Sequence, residues 1–133
     1  MRVGLIGCGR WGALILWDLR SLECEVVVIA RGGGSRERAI GGGATAVVSS
    51  VSELGRVDGV IVSTPTSSHA DVLDEVLPLG VPMFVEKPLC NDAERAQDLA
   101  NRAPDRLFVM DKWRYHPGVQ MLATMARQGD LGE

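Results

Sequence analysis

Short apolar runs alternate along this chain with stretches whose apolar positions recur every three or four residues. The runs are Val3 to Ile6, Glu25 to Ala30, Ala46 to Val48, Gly59 to Ser63, Met83 to Glu86 and Leu107 to Met110. Continuous β-branched runs such as EVVVIA are what a parallel strand buried on both faces requires. Between them the helical stretches are bounded by recognisable signals. Ala13, Leu14, Leu16 and Trp17 begin the first helix. Two triple glycines, Gly32 to Gly34 and Gly41 to Gly43, leave room for at most one or two turns of a second. Ser52 to Leu54 reads as one helical turn. Ser67 or Ser68 caps a helix to Leu79 with Ala70, Leu73, Val76 and Leu77 on one face, and Pro78, Gly80 and Pro82 mark its exit. Asn91 or Asp92 caps another through Arg102, with Ala93, Ala96, Leu99 and Ala103 inward, and a last helix spans Pro117 to Gln128. Strand and helix alternate throughout. The fold class is therefore α/β, a doubly wound parallel sheet of about six strands with helices on both faces, forming one domain over residues 1–133.

The first strand runs into Gly7-Cys8-Gly9-Arg10-Trp11-Gly12, a G-x-G-x-x-G that opens the first helix. In a strand-to-helix turn of this kind the first glycine permits the tight turn and the second lets a pyrophosphate approach the backbone. The third lets helix and strand pack closely. The helix N-terminus adds free N–H groups and a partial positive charge. With a strand before it and a helix after it, the motif points to a dinucleotide-binding Rossmann domain, rather than to a glycine turn that serves no ligand.

Composition narrows the partners. A net charge of −3 with scattered basic residues gives no footprint for nucleic acid. No apolar run approaches the roughly 18 residues of a membrane span, and Met1 begins a strand instead of a signal peptide. Cys8, Cys24 and Cys90 form no C-x-x-C and leave an odd count, as reduced thiols in a cytoplasmic protein would. Cys8 reads as a small filler of the glycine loop, although a helix N-terminus can also lower a thiol pKa. No metal site is expected.

The dinucleotide is read at the end of the second strand. NAD-binding domains carry an acidic residue there for the ribose 2′-hydroxyl. This chain has Arg31, nineteen residues after Gly12, with Ser35 and Arg36 close behind. A guanidinium stacks on adenine and pairs with a 2′-phosphate, which a carboxylate would repel. NADP is therefore expected ahead of NAD. The alternative is that Arg31 is a solvated loop residue.

Three further stretches are Val60-Ile61-Val62-Ser63-Thr64-Pro65 with His69, Phe84-Val85-Glu86-Lys87-Pro88-Leu89, and Arg114-Tyr115-His116-Pro117. With the amino-terminal glycines, in this order and spacing, the chain resembles the Gfo/Idh/MocA family, glucose–fructose oxidoreductase and inositol dehydrogenase. The resemblance implies an NAD(P)-dependent oxidoreductase acting on sugars, cyclitols or related carbonyl compounds. It implies that Thr64 and Pro65 lie along the cofactor and that Lys87, of the E-K-P, sits by the nicotinamide and the reacting hydroxyl as the catalytic residue. Glu86 would orient Lys87 or pair with it. His69 lies near the cofactor by resemblance and in a capping turn by context, so binding and structural roles stand level. Arg114 resembles the arginine that lines the nicotinamide end, while Trp113, Tyr115 and His116 read equally as packing or contact residues.

The position of Lys87 is consistent with this, because a lysine at the carboxyl end of a parallel strand lies in the ligand crevice of such sheets. Members of the family carry a second domain with an Asp-x-x-x-His pair, and neither His69 nor His116 matches it. An excised domain, half of a split enzyme and a free-standing protein are the three readings of that difference. The expected activity is hydride transfer, with a second domain or subunit completing the site. The alternative is a non-catalytic dinucleotide-binding module that regulates or scaffolds a partner. In the last helix the apolar positions Met121, Met125, Leu122, Ala126, Val119 and Ala123 span roughly 200°. One sheet covers an arc of only ~100° or somewhat more. Half of this face is therefore expected to bury on the sheet, and half to seek a second copy or another partner through residues 117–128.

Overall fold

A computed structural model describes residues 1–132. The elements are β1 (Arg2–Ile6), α1 (Arg10–Ser21), β2 (Glu25–Ile29), α2 (Gly33–Gly41), β3 (Ala46–Val48), β4 (Gly59–Val62), α3 (His69–Val76), β5 (Met83–Glu86), α4 (Ala93–Arg102), β6 (Leu107–Met110) and α5 (Pro117–Gln128). All six strands lie parallel in the order β3-β2-β1-β4-β5-β6. The chain winds outward from β1 to β3, then returns to pair β4 on the other side of β1. Between β1 and β4 the winding reverses, which opens a crevice beyond their carboxyl ends.

The register shows why the apolar runs had to be continuous. Leu5 lies between Val28 and Ile61, and Ile6 between Ile29 and Val62. Alternate residues feed opposite cores. Val3, Leu5, Val26 and Val28 meet Ile15, Leu16 and Leu19 of α1, while Ile6, Val27, Ile29, Val60, Val62, Met83 and Val85 meet Val72, Leu73 and Val76 of α3 and Leu99 of α4. Each fully buried side chain of this kind contributes about 1.5–3 kcal/mol. The exposed pairs that tie α4 to α3, Arg95 with Asp71 and Asp74 and Arg102 with Asp74, are worth about 0–1 kcal/mol each. The two cores hold the sheet and helices together.

Several local expectations change. Helix α2 runs nine residues, about two and a half turns, and starts inside the first glycine triplet; burial of Ala39 outweighs the glycines' low helix propensity. The inward face of α1 is Gly12, Ile15, Leu16 and Leu19, whereas Leu14 and Trp17 are 54% and 68% exposed. On α3, His69 and Val72 are buried beside Leu73 and Val76, with Ala70 and Leu77 packed at the edge. Ser68 does not cap that helix, because its hydroxyl donates to the Pro65 carbonyl at 2.8 Å. The helix ends earlier than expected, at Val76, and continues as a tighter turn over Leu77–Leu79. Asp92 does cap α4, accepting the Arg95 N–H at 2.7 Å, while Ala93 is exposed.

Helix α5 departs furthest. None of its residues is buried, so no half of it packs on the sheet. Its main contacts are with the turn Lys112–Tyr115 that precedes it. The adjoining face of β5 and β6, where Phe84 and Phe108 stack at 5.0 Å, stays open, and both rings are over 40% exposed. Among the described residues no helix is long and apolar enough to cross a membrane.

Candidate functional site

The glycine loop leaves β1 at Gly7, whose φ of 91° an L side chain adopts only with strain. Ser63, just past β4, fixes this turn. Its hydroxyl donates to the Gly7 carbonyl at 2.7 Å and its N–H to the Ile6 carbonyl at 2.9 Å. A Cβ on Gly12 would lie 2.4 Å from that Gly7 oxygen, so the chain's own packing requires the third glycine. Gly9 is different. Its φ of −69° is unstrained, and a Cβ there would meet nothing within 4 Å. Nothing inside the chain requires a glycine at the tip of the loop.

Gly9 is also the N-cap of α1, with no side-chain cap and no acidic residue in the first turn. Backbone bonding into the helix starts only at Ala13, whose N–H donates to Gly9. The preceding N–H groups, from Arg10 to Gly12, face out of the helix end with its partial positive charge.

Helix α2 holds the other side of the loop. The Cys8 N–H donates to Ser35 Oγ at 3.0 Å, and Arg38 Nε donates to the Cys8 carbonyl at 2.9 Å. Ser35 thus supports the loop from within. Arg38, which the sequence reading missed, shares its face; the spacing of three residues on a helix was the available signal. Arg36 is exposed. The Cys8 side chain is fully buried. Burial pushes its thiol up, against the opposing pull of Arg38, as suits a filler and not a reactive thiolate.

Two hollows flank the loop. The smaller, of about 180 Å³, is lined by Ile6, Gly7, Ile29, Arg31, Thr64, Pro65, Ser68 and Val72, a mostly apolar slot with Arg31 at its edge. The guanidinium is not free, since Nη2 lies 3.0 and 3.5 Å from the two carboxylate oxygens of Glu75. The larger, of about 390 Å³, brings together Trp11, Ser63, Thr64, Pro65, Thr66, His69, Glu86, Lys87, Met110 and Lys112. Thr64 and Pro65 border both. The Thr64 hydroxyl is shielded from solvent and has no hydrogen-bond partner among the described residues, a state that costs about 1–3 kcal/mol.

Within the larger cleft Glu86 accepts a hydrogen bond from the Trp11 indole at 2.5 Å. Among the described residues it makes no ion pair with Lys87. His69 is 1% exposed, and its ring nitrogens lie 2.9 Å from the Thr64 and Pro88 carbonyls. A neutral ring donates to one of these at a time. The ring fills the space between the end of β4 and the turn that carries Lys87, bonded to one carbonyl or the other according to its tautomer. Arg114 is not part of this cleft. It lines the adjoining groove with Phe84, Phe108 and Tyr115, and Lys112, on the same helical turn, borders both. Trp113 packs on His116 at 5.6 Å, with the Lys112 ammonium 5.2 Å from the indole centre.

No group of three or more metal-ligating side chains occurs among the described residues. An open helix N-terminus, a loop tip with no steric demand of its own and an unpartnered hydroxyl between two hollows fit an extended, polar-centred ligand carrying phosphate.

Comparison with known proteins agrees. A family model described as "Oxidoreductase family, NAD-binding Rossmann fold" matches residues 1–110. The rhizopine catabolism protein MocA of Rhizobium meliloti is 30% identical over 138 residues, covering 98% of this chain and 44% of that protein. A 3-ketoreductase from Actinomadura kijaniata, solved with NADP and TDP-benzene, superposes with a TM-score of 0.77 at 30% identity, over 97% of this chain and 42% of that one. The WlbA dehydrogenase of Bordetella pertussis, solved with NADH and UDP-GlcNAcA, shares the fold with a TM-score of 0.84 at 23% identity, over 100% of this chain and 44% of that one. The chain thus spans less than half the length of the relatives it matches.

Proposed function

The chain belongs to the Gfo/Idh/MocA oxidoreductase family and has its NAD-binding Rossmann fold, and we propose that it binds a nicotinamide dinucleotide across the glycine loop for hydride exchange with a sugar, cyclitol or related carbonyl compound. The observation that carries this reading is Gly9, which has no steric reason inside the chain to be glycine and stands at the uncapped N-terminus of α1. A pyrophosphate there would accept from the N–H groups of the first turn. The adenosine would enter the slot between Ile29, Pro65 and Val72, next to Arg31. The nicotinamide would reach the larger cleft, where Thr64 offers its unpartnered hydroxyl.

The bound dinucleotide supplies the hydride donor or acceptor. Lys87, exposed at the end of β5, would hold a proton at the substrate oxygen and polarise it. His69 would keep the Lys87 turn against Thr64. With Arg31 where a carboxylate would stand, NADP is accommodated as well as NAD. The free cysteines suit a reducing, cytoplasmic setting. The 3-ketoreductase named above, 30% identical, was solved with NADP and TDP-benzene, which supports a nicotinamide dinucleotide as the ligand in this reading.

The test is Lys87→Ala, assayed with a panel of polyols, cyclitols and nucleotide sugars, on the chain alone and with a supplied second domain. Dinucleotide affinity should stay within about threefold while turnover is lost, because the interaction is made mainly in the transition state. Unchanged turnover in the variant would remove Lys87 from the chemistry.

A further inference from the structure

We infer that Glu75, on α3, determines how strongly the site separates a dinucleotide with a 2′-phosphate from one without, an inference that rests on the dinucleotide reading above. In this fold the residue at the end of β2 meets the adenosine ribose. Here that residue is Arg31, which alone would favour a phosphate. The structure returns a carboxylate to the same place from another element. Val72 lines the adenosine slot, and Glu75, three residues further along α3, is its neighbour on that helix face. From there both Glu75 oxygens lie within 3.5 Å of Arg31 Nη2.

The pair changes what the end of β2 offers. An arginine has five N–H donors in a fixed plane, and one terminal nitrogen is engaged by Glu75. The remaining donors can still meet ribose hydroxyls, and the carboxylate adds an acceptor. A 2′-phosphate, by contrast, meets a guanidinium whose charge is already balanced, with a carboxylate beside it. The pair therefore suits a bare ribose and a phosphorylated one about equally. Removing Glu75 frees the guanidinium and removes a repelling charge, and both changes favour the phosphate.

The experiment titrates the 133-residue chain with NADH and NADPH by nicotinamide fluorescence at low ionic strength, with Glu75→Gln, Arg31→Gln and the double variant alongside. The unaltered chain should bind the two within about threefold of each other. Glu75→Gln should tighten NADPH by roughly two- to fivefold, as expected for an exposed charge pair, and leave NADH nearly unchanged. In the Arg31→Gln background the same change should give a clearly smaller gain, since only the direct repulsion between Glu75 and the phosphate is then removed. An unaltered NADPH-to-NADH ratio in Glu75→Gln, or an equal gain without Arg31, would overturn the inference while leaving the dinucleotide reading standing. Binding of neither nucleotide by any variant, each shown to be folded, would overturn both.

Discussion

Two glycines of one motif should fail in opposite ways when each is replaced by alanine. In Gly12→Ala the new Cβ would lie 2.4 Å from the Gly7 carbonyl and 2.7 Å from Ser63 Oγ. The first is backbone held by Ser63 and cannot swing aside as a side-chain end would. Overpacking of this kind costs roughly 1–3 kcal/mol, occasionally more. For a domain of this size each kcal/mol lowers the melting temperature by about 3–5 °C, so Gly12→Ala should melt roughly 3–15 °C below the parent. Gly9→Ala meets nothing within 4 Å and keeps an ordinary φ. Its poorer helix cap, roughly 0.5–1 kcal/mol, is offset by a gain of about 0.4–1 kcal/mol from the less flexible unfolded chain. Its melting temperature should stay within about 3 °C of the parent. Affinity for NADH should nevertheless fall at least about tenfold, because the methyl group stands where a pyrophosphate would approach. Differential scanning fluorimetry with and without dinucleotide reads both quantities. If Gly9→Ala melted as low as Gly12→Ala, or bound dinucleotide as the parent does, the division between a folding glycine and a ligand glycine would be wrong.

The apolar face of α5, none of whose residues is buried, should mediate self-association. Sedimentation velocity over a range of concentrations should show association that Met121→Glu/Met125→Glu reduces, and a monomer throughout would refute this. The Cys8 thiol, raised by burial, titrates higher in the folded chain than in the unfolded one. Its contribution to stability is therefore full below about pH 9 and is lost as pH rises through the folded value. Urea denaturation of the parent should weaken more steeply above about pH 9 than that of Cys8→Ala, and identical slopes would show that the thiol is not linked to folding.

The six strands and their parallel order follow from features visible in the chain. Continuous β-branched runs could be satisfied only by burial on both faces, and the glycine motif fixed which strand is central. What periodicity alone left undetermined was orientation. Leu14 and Trp17 are apolar yet exposed, because the tight fit of Gly12 on Gly7 sets the rotation of α1 and turns Ile15, Leu16 and Leu19 inward. The residues that line the cleft were legible where they sit just past strand ends, as Thr64 and Lys87 do. They were not legible where a contact bridges distant elements. Arg38 reaches Cys8 thirty residues back, Glu75 meets Arg31 across forty-four, and Trp11 takes the Glu86 carboxylate that the sequence reading assigned to Lys87. The helical turn Lys112–Tyr115 sets Lys112 at the border of cleft and groove and Arg114 on the groove, a difference of direction that no local pattern announces.

Binding of a dinucleotide across the glycine loop is tested most directly by amide chemical-shift mapping of the isotopically labelled protein during an NADH titration. Saturable shifts should be largest at the amides of Gly9, Arg10 and Trp11, with further shifts at Thr64, Arg31 and Lys87. Phe108 and the residues of α5 should stay near their starting positions. No saturable shift at millimolar NADH, or shifts confined to the Phe84–Phe108 groove, would contradict it.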